Sequence, residues 1–175
     1  IGYGKMGMIR HKAINEIGSA EVVAISEPLD TLSRLPNLTH DEIIHHPDLD
    51  IILICTPNYL NKKLTIDSLR AGKHVFCEKP PCFTGADMLE ILLVEQENDD
   101  KKLMYGFNHR HHESIKYMKK LVDSGEYGKV LWMRGRYGKS VNSTYLNTWR
   151  ARKELAGGGI LLDQGIHMLD LFLML

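Results

Sequence analysis

Gly2-Tyr3-Gly4-Lys5-Met6-Gly7, running straight into Met8-Ile9-Arg10-His11-Lys12-Ala13-Ile14-Asn15-Glu16-Ile17, is the stretch on which the fold turns. Glycines spaced G-x-G-x-x-G let a backbone turn tightly and come close to a pyrophosphate. Such a group rests on the helix N-terminus that follows, where free N–H groups and the helix dipole favour an anion. Met8, Ile9, Ala13, Ile14 and Ile17 recur at helical spacing, and Gly18 is a plausible stop. The glycine pattern alone is weak, since glycine turns are common. Its setting strengthens it: a helix follows, the β-branched run at 21–26 reads as a strand, and Glu27 stands 20 positions after Gly7. That spacing suits a carboxylate hydrogen-bonded to adenosine ribose hydroxyls. Glu27 favours NAD, because it would repel a 2′-phosphate. Arg34 nearby would relax this and leaves NADP open.

Outward from this turn, residues 49–55 (LDIILIC), apolar throughout but for Asp50, read as a strand buried on both faces of a parallel sheet. Residues 60–71 read as an amphipathic helix ended by Gly72, 74–77 as a strand, 78–81 as a rigid loop, 85–97 as a helix and 103–106 as a strand. A short helix at 41–46 is capped by Thr39 or His40, and 28–40 is irregular with a helical stub at 29–35. Strands alternating with helices predict an α/β fold with a doubly wound parallel sheet. After Asn108 the pattern changes. Residues 114–124 read as an amphipathic helix, 129–137 as a longer strand and 141–154 as a polar, aromatic loop. Gly157-Gly158-Gly159 then leads into a helix from Leu161. These features predict a nucleotide-binding domain at 1–107 and the start of a second domain at 108–175. Residues 27–51 are short for the helix, strand and helix a standard half-fold needs, so a loop or helix is expected to be absent there. Both ends stop inside elements, which predicts a longer parent chain.

Composition removes other classes. The 175 residues are 43% hydrophobic and 25% charged, as in globular domains. Lys+Arg and Asp+Glu are 22 each, so the basic excess of a nucleic-acid binder is lacking. The apolar runs at 51–55 and 171–175 are too short to span a bilayer, and no secretory signal stands at the start of these residues. Cys55, Cys77 and Cys82 form no CxxC pair; core packing and a reducing cytoplasm are the simplest reading. His45, His46, His109, His111 and His112 have no Cys or carboxylate at ligand spacing, so no metal site is expected.

Four further groups carry chemistry. Thr56-Pro57-Asn58 follows the buried strand at its carboxyl end, where ligands bind in open α/β sheets. There it would touch cofactor ribose or nicotinamide, although an ordinary Pro-Asn turn reads the same way. Glu78-Lys79-Pro80 ends the next strand at the same edge. A lysine beside a cationic nicotinamide would donate to, or polarise, a substrate hydroxyl or carbonyl; as a bare tripeptide it is also what a surface loop looks like. Asp163 and His167 share a helix face at i, i+4, so the carboxylate would hold the imidazole as a general base. A plain surface pair, or Asp170 orienting His167 instead, fits the same spacing. Tyr145, Trp149 and Arg150 lie before the glycines and would line a substrate cleft.

Together, Gly2 to Gly7, Thr56-Pro57-Asn58 and Gly72-Lys73-His74-Val75-Phe76-Cys77-Glu78-Lys79-Pro80 resemble the Gfo/Idh/MocA oxidoreductase family. Gly106-Phe107-Asn108-His109-Arg110, Ser124-Gly125-Glu126-Tyr127-Gly128-Lys129-Val130 and Gly157 to Asp170 extend the likeness in order. The resemblance implies an N-terminal Rossmann domain and a C-terminal α/β domain with a mostly antiparallel sheet, only partly present here. It implies NAD(P)-dependent hydride transfer at a hydroxyl or carbonyl carbon of a sugar, cyclitol or nucleotide sugar. The rival is a non-catalytic NAD(P)-binding sensor of the same fold. By the resemblance, Lys79 is the motif lysine and Asp163 and His167 the acid/base pair, with Asn108 near nicotinamide and Arg110 near substrate. The candidate cofactor contacts are then Gly2, Gly4, Lys5, Met6, Gly7, Glu27, Thr56, Pro57, Asn58, Glu78, Lys79 and Asn108. The candidate substrate contacts are Arg110, Tyr145, Trp149, Arg150, Asp163 and His167. A homo-oligomer, dimer or tetramer, through the C-terminal sheet is implied as well. Many members carry His where this chain has Asn61, and Pro81-Cys82 replaces a usual small apolar pair.

Overall fold

Three parallel strands, β1 (Ile51–Ile54), β2 (His74–Cys77) and β3 (Leu103–Tyr105), lie side by side in that order in the computed structural model, which describes residues 1–29, 31, 33–138, 140–141 and 143–175. Ile51 pairs with His74 and Ile54 with Cys77, then Val75 with Leu103 and Cys77 with Tyr105. Shorter segments extend this ladder. The Cys55 N–H donates to Ile1 O (2.8 Å) and the Gly2 N–H to Ser26 O (2.8 Å). The Ile25 N–H donates to Pro36 O (2.9 Å) and the Leu38 N–H to Ile25 O (2.8 Å), around a parallel bridge between Ile25 and Asn37. Numbered along the chain, the six pieces therefore stand in the order 3-2-1-4-5-6, the doubly wound dinucleotide order.

The chain divides into two units, Ile1–Tyr105 and Gly106–Leu175. In the first, α1 (Lys5–Ile17) opens at the glycine turn and ends at Gly18, whose N–H donates to Ile14 O. Its packed side differs from the predicted apolar one. Met8, Ile9 and Ile17 are exposed, while Met6, Arg10, Ala13 and Ile14 are half-buried. The guanidinium of Arg10 lies over the Phe76 ring, so α1 docks on the sheet face that carries Leu53 and Phe76. On the opposite face Ile52, Ile54, Val75 and Cys77 are buried in a core shared with Leu64 and Leu69 of α3 (Asn61–Arg70) and Val94 of α4 (Gly85–Glu97). β1 is thus fully buried on one face only, and Ile51 is half exposed.

Other expectations need correction. Residues 21–26 make no strand; the segment is extended and pairs through a single bridge, because its neighbour on one side is only the 36–38 segment. No helix occupies the described residues of 28–35, of which positions 30 and 32 lie outside the described set. The described residues between the second and third pieces, 27–29, 31 and 33–35, form no helix or strand. Then comes α2 (His40–Ile44), closed by a capping box in which Thr39 and Glu42 satisfy each other's backbone N–H groups.

In the second unit, α5 (Glu113–Asp123) follows the single-turn 3-10 helix Asn108–His111. The predicted strand at 129–137 carries no ladder hydrogen bond among the described residues, since a strand needs a neighbour and none runs beside it. It rests instead on the last helix: a Cβ on Gly135 would meet Met168 Sδ at 2.8 Å. The predicted loop at 141–154, whose position 142 is outside the described set, contains 3-10 turns Ser143–Asn147 and Trp149–Ala151 and then α6 (Lys153–Ala156). After the glycines comes a π-helical turn, Leu161–Gly165, and then α7 (Ile166–Met174). No helix among the described residues is long and apolar enough to cross a membrane.

Candidate functional site

In the first unit the candidate residues gather at the carboxyl ends of the parallel strands. Gly2 follows the first sheet piece, Glu27 the second, Thr56 follows β1, and Glu78 and Lys79 follow β2. Contacts tie them together. The Tyr3 N–H donates to Glu27 Oε2 (2.8 Å), which brings that carboxylate to the glycine turn. Asn37 holds the Glu27 backbone in turn, its Oδ1 accepting from Glu27 N–H (2.9 Å) and its Nδ2 donating to Glu27 O (2.8 Å). Gly2 has φ 81° and lies so close to β1 that a Cβ would stand 2.7 Å from Cys55 O. A Cβ on Gly7 would stand 2.3 Å from Gly2 O, whereas one on Gly4 would meet nothing within 4 Å.

Those three glycines test whether a dinucleotide fits. Gly2 and Gly7 close the turn on itself, and Gly4 leaves a bare, open approach at the N-cap of α1. No side chain caps that terminus and no acidic residue occupies its first turn, so the residues suit a pyrophosphate. Lys5 and Met6 form the start of that helix.

Glu78 has a further partner. Arg10 donates to its Oε1 from Nε (2.8 Å) and Nη2 (2.6 Å), with Glu78 almost fully buried. The Glu78 carboxylate is therefore engaged by α1, which joins the helix of the glycine turn to the lysine loop. Replacing Arg10 by Leu leaves that carboxylate without this charge and is expected to lower stability by ~2 kcal/mol, read as a drop in urea midpoint. Thr56 and Asn58 are buried, and Thr56 Oγ1 donates to Asn61 Oδ1 (3.1 Å). Asn61 also donates from Nδ2 to Glu78 O (3.1 Å) and Pro80 O (2.8 Å). Neither Arg10 nor Asn61 was among the sequence candidates. Both lie at helical spacing from packed residues, Arg10 four after Met6 and Asn61 three before Leu64, but a polar side chain there interrupts the apolar stripe, so spacing alone does not single them out.

The cysteines are poor nucleophiles. Burial pushes the Cys55 thiol up to about 11 and the Cys77 thiol up to about 12.

In the second unit His167 is buried on α7 and stacks on His109, with centroids 4.2 Å apart and planes 10° from parallel. Phe107 and Tyr137 meet its ring edge-on, each at 6.1 Å. Asp163 is half-buried in the π-helical turn and accepts from Gln164 Nε2 (2.8 Å). That turn bonds i to i+5, so an α-helical i, i+4 argument does not by itself pair Asp163 with His167. Asp170 is buried and engaged by Arg110, whose Nε donates to Oδ2 (2.8 Å) and Nη2 to Oδ1. The forked pair raises the Arg110 pKa further and anchors the 3-10 turn bearing Asn108 to α7. Asn108 itself is exposed. Tyr145, Trp149 and Arg150 are half-buried on the two 3-10 turns, with the Arg150 guanidinium 4.3 Å from the Trp149 ring centroid.

Comparison with known proteins follows the same division. Residues 1–107 match the oxidoreductase family, NAD-binding Rossmann fold, and residues 115–175 match the GFO/IDH/MocA C-terminal domain. Levoglucosan dehydrogenase of Pseudarthrobacter phenanthrenivorans is 35% identical over 77% of this chain and 35% of its own. The crystal structure of myo-inositol 2-dehydrogenase from Lactobacillus plantarum superposes with TM-score 0.84 at 29% identity, covering 98% of this chain and 53% of that one. Scyllo-inositol dehydrogenase from Lactobacillus casei, with bound NAD(H) and scyllo-inositol, gives 0.85 at 25% identity over 99% and 54%. The chain spans 35%, 51% and 44% of the length of three curated relatives it matches.

Proposed function

The chain belongs to the Gfo/Idh/MocA oxidoreductase family, and on that premise we propose that the protein moves hydride between a nicotinamide cofactor and a hydroxyl-bearing carbon of a sugar or cyclitol. One observation carries this reading: the glycine turn, Glu27, the Thr56 turn and the Lys79 loop are tied together at the carboxyl edge of a sheet in dinucleotide order. Relatives named as inositol 2-dehydrogenase and D-glucoside 3-dehydrogenase support the substrate class. We assign residues 1–107 to cofactor binding and 108–175 to the start of the substrate domain.

When bound, NAD supplies the hydride acceptor. Gly2, Gly4 and Gly7 with the first turn of α1 hold its pyrophosphate, and Glu27 holds the adenosine ribose. In oxidation the carbon loses hydride and its hydroxyl loses a proton, leaving a carbonyl. His167 takes that proton, steadied by Asp163, and Lys79 hydrogen-bonds the developing alkoxide so that charge builds up beside a cation. Arg110, paired with Asp170 through Nε and Nη2, is held in its turn with part of its side chain exposed for substrate.

The test is a fluorescence titration of the full-length chain with NADH and NADPH at fixed salt, followed by reduced-nicotinamide absorbance with myo-inositol, levoglucosan and D-glucosides. NADH is expected to bind about tenfold or more tighter, because Glu27 opposes a 2′-phosphate. Binding of neither nucleotide overturns the cofactor assignment. Tight binding without turnover of any sugar favours the sensor reading.

A further inference from the structure

Asn61 is a fully engaged polar side chain of the first unit, and nothing in the assignments above gives it work. It is fully buried, on the face of α3 that also presents Leu64, Thr65, Ser68 and Leu69. Its amide uses both donor protons and its carbonyl. Nδ2 donates to Glu78 O (3.1 Å) and Pro80 O (2.8 Å), and Oδ1 accepts from Thr56 Oγ1 (3.1 Å). Two backbone carbonyls can only accept, so the atom facing both must be the nitrogen, which settles the amide's orientation.

The two carbonyls flank Lys79. Pro80 and Pro81 have no N–H, so this loop cannot hold itself with its own backbone donors at those positions. The donors must come from outside, and Asn61 provides both from one atom. The third bond links the same side chain to Thr56, at the head of the turn assigned to the cofactor. An imidazole has a single N–H on each ring nitrogen and cannot reach two carbonyls from one atom; an ionised carboxylate has no donor at all.

We infer that Asn61 is a positioning residue: it clamps the backbone on both sides of Lys79 to the Thr56 turn, and so sets where the lysine ammonium stands relative to the cofactor turn. This deepens the proposed function and rests on Lys79 acting at the substrate oxygen. Loss of the clamp frees the loop without touching the glycine turn, so chemistry suffers more than nucleotide binding.

The experiment uses the full-length chain and four variants: Asn61→Ala, Asn61→His, Lys79→Ala and the Asn61→Ala/Lys79→Ala double. The first readout needs no substrate. Trinitrobenzenesulfonate labelling is followed by peptide mass spectrometry, with exposed Lys102 as the internal reference. Lys79 in Asn61→Ala is expected to label at least about threefold faster relative to Lys102, and Asn61→His, with one donor restored, to fall between that and wild type. General loosening would move both lysines alike. An unchanged Lys79-to-Lys102 ratio overturns the inference. Should Asn61→Ala fail to fold, the Asn61→His ratio decides alone, and a wild-type value there overturns it too.

The second readout is turnover. Asn61→Ala is expected to lower kcat about tenfold or more with NADH affinity within about threefold, and to add nothing in the Lys79→Ala background. Additive losses overturn the inference while leaving Lys79's own role standing. Near-wild-type turnover of Lys79→Ala alone overturns the role of Lys79, and the labelling ratio then still reports on the clamp.

Discussion

Lys79→Ala and His167→Ala are each expected to lower turnover by about 10²–10⁴-fold while NADH binding survives. The two losses arise differently. Lys79 is half-buried at the end of β2, on a loop held by Asn61 and by the Arg10–Glu78 pair. Truncating its side chain leaves those backbone and carboxylate bonds in place, so the loop stays and only the ammonium goes. Without that cation the alkoxide builds up unstabilised, and kcat falls more than KM rises. His167 is buried and face-to-face with His109, so Ala there also opens space beside a stacked ring. His167→Asn, closer in size, separates proton transfer from packing: it should lose turnover nearly as far as Ala but keep more of the urea midpoint. A shallower pH dependence of kcat in either His167 variant is the mark of a lost base. Near-wild-type turnover in both Lys79→Ala and His167→Ala would sink the mechanism, and near-wild-type turnover in one would remove that residue's role alone.

What the sequence disclosed about these sites follows from which signals are local. The glycine turn and Glu27 are legible because a backbone turn this tight demands particular residues at particular spacings, and the Tyr3 N–H brings the Glu27 carboxylate to it. The strand at 74–77 and the helix at 85–97 match β2 and α4 residue for residue: β2 finds partners on both sides, in β1 and β3, and α4 carries its own capping box at Thr84 and Asp87. Pairing partners were not legible. The run at 129–137 alternates like a strand, yet strand structure is a property of two segments, and among the described residues no second one pairs with it. The 21–26 run fails for a related reason: only Ile25 finds a bridge. Polar residues on buried faces were missed for a third reason. Asn61 and Arg10 break the apolar periodicity by which a packed face is recognised, and only the structure shows the carbonyls and the carboxylate that receive them. Asp170 is one of two carboxylates that spacing places near His167, and only the structure shows that the guanidinium of Arg110, 60 residues away in sequence, engages it.

Gly7→Ala and Gly4→Ala should part company, although both alter the same six-residue turn. At Gly7 a methyl would lie 2.3 Å from the Gly2 carbonyl oxygen, and that oxygen belongs to backbone that cannot swing aside. Gly2 is itself pinned: its N–H donates to Ser26 O, and a Cβ there would be 2.7 Å from Cys55 O. The turn has no slack to absorb the methyl, so α1 must lift from the sheet. That should cost about 1–3 kcal/mol or more and take NADH affinity with it, visible as a lower urea midpoint together with loss of binding. At Gly4 the same methyl meets nothing within 4 Å, and the backbone there has no positive φ to relieve. The fold should tolerate Ala, with a midpoint close to wild type. Yet Gly4 is the N-cap of α1, where a bound pyrophosphate must come against the backbone, and a methyl stands in that approach. NADH affinity should therefore drop about tenfold or more in a protein of undiminished stability. If Gly4→Ala binds NADH as wild type does, the phosphate does not lie over this turn. A Gly7→Ala protein with wild-type stability would mean that the turn is looser than the 2.3 Å approach allows.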